Sequence, residues 1–315
     1  MQLFKQVPGF KFMSKATATT ILSLVLFIGS FISFGVRGLN LGIDFTGGVL
    51  VEVGFAEAPD LNTVRHQLQT LGFGDPQVQN IGSAREVLIR LPPADEADSG
   101  KLGQQIVGVL QQDNPDVSLR RIEFVGPQVG RDLATSGILA LVVCLVIIGV
   151  YIMFRFEWKF AAGAIVSVVH DPVITLGFFS LFGLPFDLTV IAAVLAIIGY
   201  SVNDTVIIFD RMRENLQRSR GVSSRADVAA LMDRSINETL SRTVLTHGST
   251  SLVVIALLLY GGETLHSFSV ALLIGIVICT YSSVYCAGST ALYLGATSED
   301  FAPKKKEKGE IDALP

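Results

Sequence analysis

Residues Leu133–Phe154 read LATSGILALVVCLVIIGVYIMF, a run of 22 residues that contains no charged side chain. A bilayer core of about 30 Å is crossed by roughly 20 apolar residues in a helix, so this run is long enough to span it. Further mostly apolar runs of comparable length follow one another along the chain: Ala16–Val36, Ala161–Phe182, Leu188–Phe209, Thr243–Tyr260 and Phe268–Leu294. The sequence therefore predicts a polytopic α-helical membrane protein with six transmembrane helices.

The composition of the whole chain supports this prediction. Its 315 residues are 50% hydrophobic and only 17% charged, with a mean hydropathy of +0.53. A soluble domain carries about 25% charged residues, so a globule of this composition would lack polar surface. The pI near 5.6 gives no basic surface for phosphate backbones. These values exclude a soluble enzyme, a disordered chain and a nucleic-acid-binding protein.

Lysine and arginine side chains are concentrated in alternate connections between the predicted helices. They occur before the first helix, between the second and third, between the fourth and fifth, and after the sixth. The short connections Gly183–Asp187 and Gly261–Ser267 contain none. The positive-inside rule then places both termini in the cytoplasm.

This orientation divides the chain into four parts. Residues 1–36 hold the cytoplasmic N-terminus and the first helix, an uncleaved anchor because its apolar run is too long for a signal peptide. Residues 37–131 form an exported domain, since long segments translocate largely regardless of their charge. Residues 132–294 hold the other helices and a cytoplasmic loop at 210–242, and residues 295–315 form a basic cytoplasmic tail.

The exported segment has the periodicity of a folded α/β domain. We expect Gly72 to end its first helix and Gly82-Ser83 to form a turn between two strands. The predicted elements, in chain order, are a strand at Val49–Phe55, a helix at Leu61–Leu71, strands at Val78–Ile81 and Glu86–Leu91, a helix at Leu102–Leu110 and a strand at Val117–Val125. The order β-α-β-β-α-β predicts a split βαβ, ferredoxin-like domain.

The loop 210–242 contains an amphipathic segment. Ser224 and Asp227 resemble a capping box, and an apolar stripe at helical spacing follows them. The stripe consists of Val228, Leu231, Met232, Ile236 and Leu240. It suits the membrane surface or another subunit, and a solvated connector is the open alternative.

Charged side chains inside the predicted helices are candidate functional residues, because each costs on the order of 2.5–3.5 kcal/mol in hydrocarbon. Asp204 lies in the fourth helix, and Arg242 opens the fifth. Burial favours the protonated carboxyl and a nearby arginine favours the ionised one, so a moving Arg242 could load and unload a proton on Asp204. The alternative is a static Asp204–Arg242 pair that fixes helix packing.

Other polar residues extend this candidate site into a possible intramembrane relay. His170 and Asp171 lie in the third helix, and Tyr200 and Asn203 lie in the fourth. Because Pro172 interrupts the third helix, an alternative role for His170 and Asp171 is to bond the backbone groups that proline frees. A row of small residues in the sixth helix, from Gly275 to Ala287, predicts close helix packing.

The sequence predicts no cofactor and no metal. The cysteines lie in apolar runs and the histidines are scattered, so neither a disulfide framework nor a zinc site is expected. Residues Gly42–Gly48 (GIDFTGG) lack the Gly-Lys-Ser/Thr of a nucleotide-binding loop, and Gly47-Gly48 predict a tight turn into the first strand. Any work done by the protein must therefore be supplied by a transmembrane gradient.

Several of these stretches, taken together, resemble the SecF family of protein-export membrane subunits. The matching stretches are Gly42–Gly48, Arg121–Pro127 (RIEFVGP), Phe154–Trp158 (FRFEW), His170-Asp171, Gly199–Arg213 (GYSVNDTVIIFDRMR) and Arg242-Thr243. The resemblance extends from about Gly35 to Leu294, in the same order and with the same spacings. It implies half of a resistance-nodulation-division transporter, with six helices and an exported domain between the first two.

The resemblance also implies a function and partners. Members of the family work with SecD beside the SecYEG translocon, with a YajC-type accessory subunit, in the bacterial cytoplasmic membrane. They use the proton-motive force to promote the translocation of preproteins. Asp204 and Arg242 match the family residues that are tied to proton conduction.

Two other classes remain open at the level of sequence. A proton-driven small-molecule exporter of the same superfamily would share the helix pattern, although such exporters usually carry both halves in one chain. An intramembrane aspartyl protease would use Asp171 and Asp204 as two carboxylates sharing a water. The Gly-x-Gly-Asp pattern of one large protease group is absent around both residues, which disfavours that class.

Overall fold

A computed structural model describes residues 7–70, 76–81, 83–92, 99–219 and 224–297 of the chain. Within these ranges, six helices are long and apolar enough to cross a membrane. By this criterion of length and composition, the six helices are Met13–Val36, Pro127–Arg155, Trp158–Phe182, Leu188–Arg218, Arg225–Tyr260 and Thr264–Tyr293. The predicted helical, multi-pass architecture is confirmed in this form.

The first membrane helix, α1, spans Ala16–Val36, the range that hydropathy predicts, and follows a 3₁₀ turn at Met13–Lys15. The segment preceding it is fixed to the fifth membrane helix. The Phe10 backbone N–H donates to Asn237 Oδ1 over 3.1 Å, and the Met13 N–H donates to Asp233 Oδ1 over 2.7 Å. Residues 1–6, part of the predicted cytoplasmic N-terminus, lie outside the described ranges.

An α/β unit lies between the first two membrane helices. A short strand β1 (Asn40–Leu41) and a short helix α2 (Ile43–Thr46) lead into it. Its main elements are β2 (Gly48–Gly54), α3 (Leu61–Thr70), β3 (Gln77–Ile81), β4 (Ser83–Leu91), α4 (Ser99–Asp113) and β5 (Ser118–Val125). The strands form one four-stranded sheet in the order β3-β4-β2-β5, and every pairing is antiparallel. Gly72 and Gly82, predicted to end a helix and to form a turn, lie outside the described residues.

The core of this unit is apolar. Val49, Val51 and Val53 alternate along β2, and all three are fully buried. Alternate residues of a strand point to one face of the sheet, and here that face meets the apolar stripes of α3 and α4. Leu68 of α3 and Ile106 of α4 are likewise fully buried in the same cluster.

Two adjacent glycines join the α/β unit to the membrane helices. Gly47 and Gly48 have φ angles of 70° and 131°, a region that favours glycine because it has no Cβ. A Cβ on Gly48 would lie 2.4 Å from the Leu91 carbonyl oxygen, and one on Gly47 would lie 2.9 Å from Pro127 Cα. The tight turn predicted at Gly47-Gly48 is confirmed.

The next five elements of the chain are α5 (Pro127–Arg155), α6 (Trp158–Phe182), β6 (Pro185–Phe186), α7 (Leu188–Arg218) and α8 (Arg225–Tyr260). The strand β6 connects α6 to α7 and pairs in parallel with β1, which brings the α/β unit against the end of the bundle. Arg90 crosses this joint, with its Nη1 donating to Asn40 Oδ1 over 3.0 Å. Burial lowers the pKa of Arg90, while Asp187 and Asp44 act in the opposite direction.

Of the predicted loop 210–242, the described residues up to Arg218 and from Arg225 continue α7 and α8, instead of forming a loop that carries a separate amphipathic helix. The helices α7 and α8 both continue beyond the predicted apolar runs, and Arg211 Nε donates to Glu238 Oε2 across them over 2.6 Å. Met232 and Ile236, members of the predicted apolar stripe, are fully buried in the same cluster as Met212 of α7. The chain itself therefore covers this stripe, which we expected to face the membrane surface or another subunit. Polar residues are costly in a helix that lies in lipid. Beyond the apolar runs this cost is absent, so α7 and α8 can continue as helices.

The sixth membrane helix is interrupted by a π-helical turn. It consists of α9 (Gly262–Tyr281), the π turn Ser282–Cys286 and α10 (Ala287–Tyr293). A Cβ on Gly275 would lie 2.2 Å from Ile197 of α7, so the backbones approach closely, as the row of small residues predicts. The π turn places Ser282 and Ser283 in the interior of the bundle.

Candidate functional site

The first buried carboxylate of the bundle is Asp171, near the middle of α6. Its side chain is 0% exposed to solvent. Its Oδ2 atom accepts hydrogen bonds from Ser201 Oγ over 2.5 Å and from Ser282 Oγ over 2.7 Å. Its Oδ1 atom lies 2.9 Å from His170 Nδ1, within hydrogen-bonding distance; an ionised carboxylate only accepts, so in that state this nitrogen is the donor. Ser167 extends the cluster by donating to Ser282 over 3.1 Å.

These contacts distinguish between the two interpretations of His170 and Asp171. Pro172 does lie inside α6. The carboxylate nevertheless bonds side chains from three membrane helices, and its oxygens are occupied by hydroxyl and imidazole donors. The Asp171 side chain therefore does not bond the backbone groups that Pro172 frees.

The second buried carboxylate, Asp204, lies one turn further along α7 than Ser201. It is 2% exposed. Thr243 Oγ1 of α8 donates to its Oδ1 atom over 2.8 Å, and Ser283 Oγ donates to its Oδ2 atom over 2.7 Å. Both of these partners are neutral hydroxyl groups.

The π turn connects the two carboxylates. Ser282 donates to Asp171, and the next residue, Ser283, donates to Asp204. A π turn widens the helix locally and is frequent at functional sites. Two consecutive serines of one helix thus donate hydrogen bonds to two different carboxylates.

Arg242 does not pair with Asp204 in this structure. Its side chain is exposed, one residue before the Thr243 that bonds Asp204. Among the residues that the structure describes, Arg242 forms no ion pair. The static Asp204–Arg242 pair is therefore not the arrangement observed, and Thr243 takes the place that we expected the arginine to occupy.

Tyr200 and Asn203 differ in their surroundings. The Tyr200 hydroxyl forms a hydrogen bond with Thr250 Oγ1 of α8, and its ring centroid lies 6.0 Å from that of His247. His247 Nδ1 lies 2.5 Å from Thr280 Oγ1 of the sixth helix. Asn203 is exposed, so the structure does not bring it into the buried cluster.

Several hydroxyl-bearing or imidazole residues of this site were not predicted to be functional. They include Ser201, Thr243, His247, Ser282 and Ser283. Adjacent hydroxyls do not single out Ser282 and Ser283, since the same helix also contains Ser289-Thr290. In the described part of the chain, no group of three or more His, Cys, Asp or Glu residues could hold a metal ion.

The two carboxylates accept hydrogen bonds from separate sets of donors, and no hydrogen bond joins them within the described ranges. Fold and site together define a multi-pass membrane protein whose bundle encloses an ionisable centre.

Comparison with known proteins identifies the family. The model of the "Protein export membrane protein SecD/SecF, C-terminal" family matches residues 105–297, and that of the "SecD/SecF GG Motif" matches residues 32–58. The chain is 45% identical to the protein translocase subunit SecF of Vibrio alginolyticus, over 100% of this chain and 99% of that protein. It is 42% identical to SecF of Escherichia coli O157:H7, over 92% of this chain and 90% of that protein. The chain belongs to the SecF family of protein translocase subunits.

A solved structure supports the same assignment. The crystal structure of SecDF, a translocon-associated membrane protein from Thermus thermophilus, matches 93% of this chain with a TM-score of 0.82 and 35% sequence identity. SecDF in its super-membrane-facing form matches with a TM-score of 0.67. The chain spans 39% of each SecDF chain. The predicted family is confirmed, and the protein is a multi-pass membrane subunit of Sec protein translocation.

Proposed function

We propose that this subunit acts with SecD and uses the proton-motive force to promote preprotein translocation, with Asp204 as a proton-carrying group. The observation that carries the proposal is the set of donors around Asp204. A buried carboxylate bonded by two neutral hydroxyls has no fixed cation that would hold it in the ionised state.

The hydroxyl partners suit a group that gains and loses a proton. A hydroxyl donates one hydrogen bond and accepts two, so Thr243 and Ser283 can serve the carboxylate and the carboxylic acid by rotating their O–H bonds. A protonated Asp204 would donate to one of these oxygens. Both protonation states can therefore be bonded with little movement of the backbone.

Arg242 supplies the second part of the proposed cycle. Successive residues of an α-helix are about 100° apart around its axis, so a rotation of α8 by one residue position would exchange Thr243 for Arg242 beside Asp204. An arginine at that position favours the ionised carboxylate and would release the proton. We propose that the observed structure is the state in which Arg242 is withdrawn.

The His170–Asp171 pair is proposed as a relay connected to Asp204 through the π turn. Ser282 and Ser283 are adjacent, so a change in the protonation of Asp171 alters the turn that also bonds Asp204. Tyr200 contributes through Thr250 and His247 on α8. Asn203 stays a predicted member of the relay, although its exposed position gives it no direct contact with the carboxylates.

The placement of the chain in the cell is proposed on the same basis. The alternation of basic and uncharged connections supports cytoplasmic termini in the bacterial inner membrane, with the α/β unit exported. The β-α-β-β-α-β order and the antiparallel sheet support a ferredoxin-like domain. The basic tail lies outside the described residues. SecYEG, a YajC-type subunit and a preprotein are the proposed neighbours of the assembled complex.

The test replaces Asp204 by asparagine, which keeps the shape of the side chain and removes its titratable proton. Asp210→Asn is the matched control, because Asp210 lies on the same helix and pairs with Arg155 outside the cluster, over 2.6 Å. We expect Asp204→Asn to assemble with SecD and to lose gradient-dependent export. Asp210→Asn should retain that activity.

Export by membrane vesicles and subunit abundance should be measured on the same samples, with and without a proton gradient. Normal gradient-dependent export at normal abundance in Asp204→Asn would overturn the proton-carrier assignment. Failure of the wild-type chain to copurify with SecD would overturn the proposed partnership.

A further inference from the structure

A cavity of about 420 Å³, open on one side to the outside of the bundle, lies beside His170, between the first, third and sixth membrane helices. Its walls are mainly apolar and include Leu24 and Phe27 of α1 and Val169 of α6. It extends from Thr20 and Thr290, near the end of the bundle where α1 begins, to His170 at mid-helix. The cavity is separate from the immediate surroundings of Asp204.

His170 presents an unpaired polar atom in this region. The side chain is 4% exposed, and its Nδ1 atom bonds Asp171. Across the described ranges, its Nε2 atom has no hydrogen-bond partner. Leaving a buried polar atom unbonded costs about 1–3 kcal/mol. Nδ1 is turned toward Asp171 and the His170 ring lines the cavity, so the cavity offers a side from which a partner can approach Nε2.

Three hydroxyl oxygens complete a polar edge within the otherwise apolar cavity. Thr20 donates its hydroxyl hydrogen to Ala16 O, and Thr290 donates to Cys286 O, so both oxygens keep free acceptor positions. Ser23 bonds the Tyr281 hydroxyl over 2.9 Å. A buried water requires two to four polar partners, and these three hydroxyl groups can supply them.

We propose that this cavity is a water-filled port through which protons reach Asp171, with His170 as the residue that passes them on. This inference rests on the proposed proton-driven function and adds the route by which the proton arrives. A hydronium ion in the cavity gives a proton to Nε2 and becomes water, and the Nδ1 proton passes to the Asp171 carboxylate at Oδ1. The imidazole is then neutral and carries its hydrogen on Nε2. It resets when the ring turns Nδ1 away from Asp171 to the water, where Nδ1 gains a proton and Nε2 loses one, and then turns back, so that one proton has moved from water to Asp171.

Phe27 is the side chain that controls this step. Nε2 is fully covered in this structure, so water reaches it only when a neighbouring side chain moves. The Phe27 ring stacks on the His170 ring, with a centroid separation of 6.5 Å and an interplanar angle of 7°, and it also lines the cavity. A rotation of Phe27 would connect the water to the imidazole.

The groups around His170 leave Asp171 as its nearest proton acceptor. Tyr281 and Cys286 face His170 from the sixth helix, and both are weaker acids than a carboxyl group. The first helix contributes Phe27 and Ser23, which do not titrate in the working range. From α7, Ser201 bonds Asp171, and Asp204 follows it by one turn.

The first test measures whether the cavity holds water, using the full chain in native membranes. With Cys144, Cys279 and Cys286 replaced by alanine, Thr290→Cys places a thiol in the cavity. Leu252→Cys is the control, because Leu252 is 71% exposed on an apolar face of α8. A small charged methanethiosulfonate reacts with ionised thiols, which form in water.

We expect the reagent to modify Thr290→Cys and to leave Leu252→Cys unmodified. Val169→Cys, on another wall of the cavity, should be modified as well. Modification of Thr290→Cys by an apolar maleimide alone would show that lipid fills the cavity, and this would overturn the proposal.

The second test compares His170→Gln with Asp204→Asn. Glutamine keeps a hydrogen bond to Asp171 but cannot carry a proton, so we expect normal abundance with loss of gradient-dependent export. Normal export and an unchanged pH profile in His170→Gln, with an inactive Asp204→Asn, would overturn the port and leave the proposed function intact. Normal export in both variants would overturn the proposed function itself. If His170→Gln does not accumulate, the proposal is tested by the labelling experiment alone, because that experiment retains His170.

Discussion

The α/β unit and the membrane bundle both have well-packed cores, but their cores contain different kinds of residue. In the α/β unit the buried cluster is built from valine, leucine and isoleucine, such as Val51, Leu68 and Ile106. The centre of the bundle instead holds Asp171 and Asp204 with hydroxyl and imidazole partners. Burying an apolar side chain stabilises a fold, whereas burying a carboxyl group costs free energy unless its hydrogen bonds are made.

This difference predicts how each region responds to substitution. Changes in the α/β core should act on the amount of folded protein and leave the activity of each folded molecule unchanged. Changes at the carboxylates of the bundle should act on activity at nearly normal abundance. The following predictions test that separation, from the largest expected effect to the smallest.

Gly48→Ala should have the largest effect, because it affects the joint between the two regions. Its φ of 131° is strained for any side chain, and a Cβ would lie 2.4 Å from the Leu91 carbonyl oxygen. We expect the variant not to accumulate in membranes. Gly108→Ala is the control, since a Cβ at that helical position meets nothing within 4 Å. Immunoblots of membrane fractions measure both, and equal abundance would show that the joint is not rigid.

Leu68→Ala should destabilise the α/β unit by about 2–5 kcal/mol, the usual cost of a large-to-small change in a core. Leu68 is fully buried, whereas Leu119, the control for a change to alanine, is 40% exposed. Thermal unfolding of the full chain in detergent gives the stability, and export is then expressed per folded molecule. A fall in export per folded molecule for Leu68→Ala would contradict the separation between the two regions.

Ser283→Ala should cost about 1–3 kcal/mol, because it leaves a buried oxygen of Asp204 without one of its hydrogen bonds, and it should also reduce gradient-dependent export. Ser289 provides a control on the same helix. It is 1% exposed, and within the described part of the chain its hydroxyl has no partner. Ser289→Ala should therefore be neutral or slightly stabilising. Identical effects of the two changes on export would mean that Ser283 does not act through Asp204.

Glu52→Gln should have the smallest effect, visible as a change in pH dependence. Burial, reinforced by Glu86, raises the pKa of Glu52 above its usual value of 4.5, against the opposing effect of Arg121 and Arg120. The folded state thus binds the proton more tightly than the unfolded chain, and stability falls as pH rises from about 4.5 through the raised pKa.

The glutamine variant should consequently be more stable than wild type at pH 7 and no more stable at pH 4. Thermal midpoints across this range measure the difference. Glu57→Gln, at an exposed position, should follow the wild-type curve. A wild-type advantage at pH 7 would show that the neighbouring arginines outweigh burial.

Much of the fold could be predicted because its signals are local. Hydropathy located every membrane helix, and for α1 it gave both ends, since Ala16 and Val36 coincide with changes in polarity. The strands followed from alternation, as at Val49, Val51 and Val53. The extensions of α7 and α8 escaped prediction, because hydropathy marks where a helix meets lipid and not where the helix ends.

The candidate site was only partly predictable. A carboxylate in an apolar helix is conspicuous by its cost, which is why Asp171 and Asp204 were recognised. Ser283 and Thr243 cost little in a helix and therefore carry no comparable signal. Pairing Arg242 with Asp204 followed from opposite charge alone, whereas their contact depends on the rotation of α8 about its axis.

The sequence by itself determined the number of membrane helices, the order of elements in the α/β unit and the identity of the buried acids. These properties depend on the solvation of each residue and on periodicity along a single element. Only the tertiary structure decided that Ser282 bonds Asp171 while Ser283 bonds Asp204, and that Thr243 stands where Arg242 was expected. Such contacts join residues far apart in the chain. They depend on the rotation of neighbouring helices about their axes and on one π turn. Neither of these features leaves a regular pattern in the sequence.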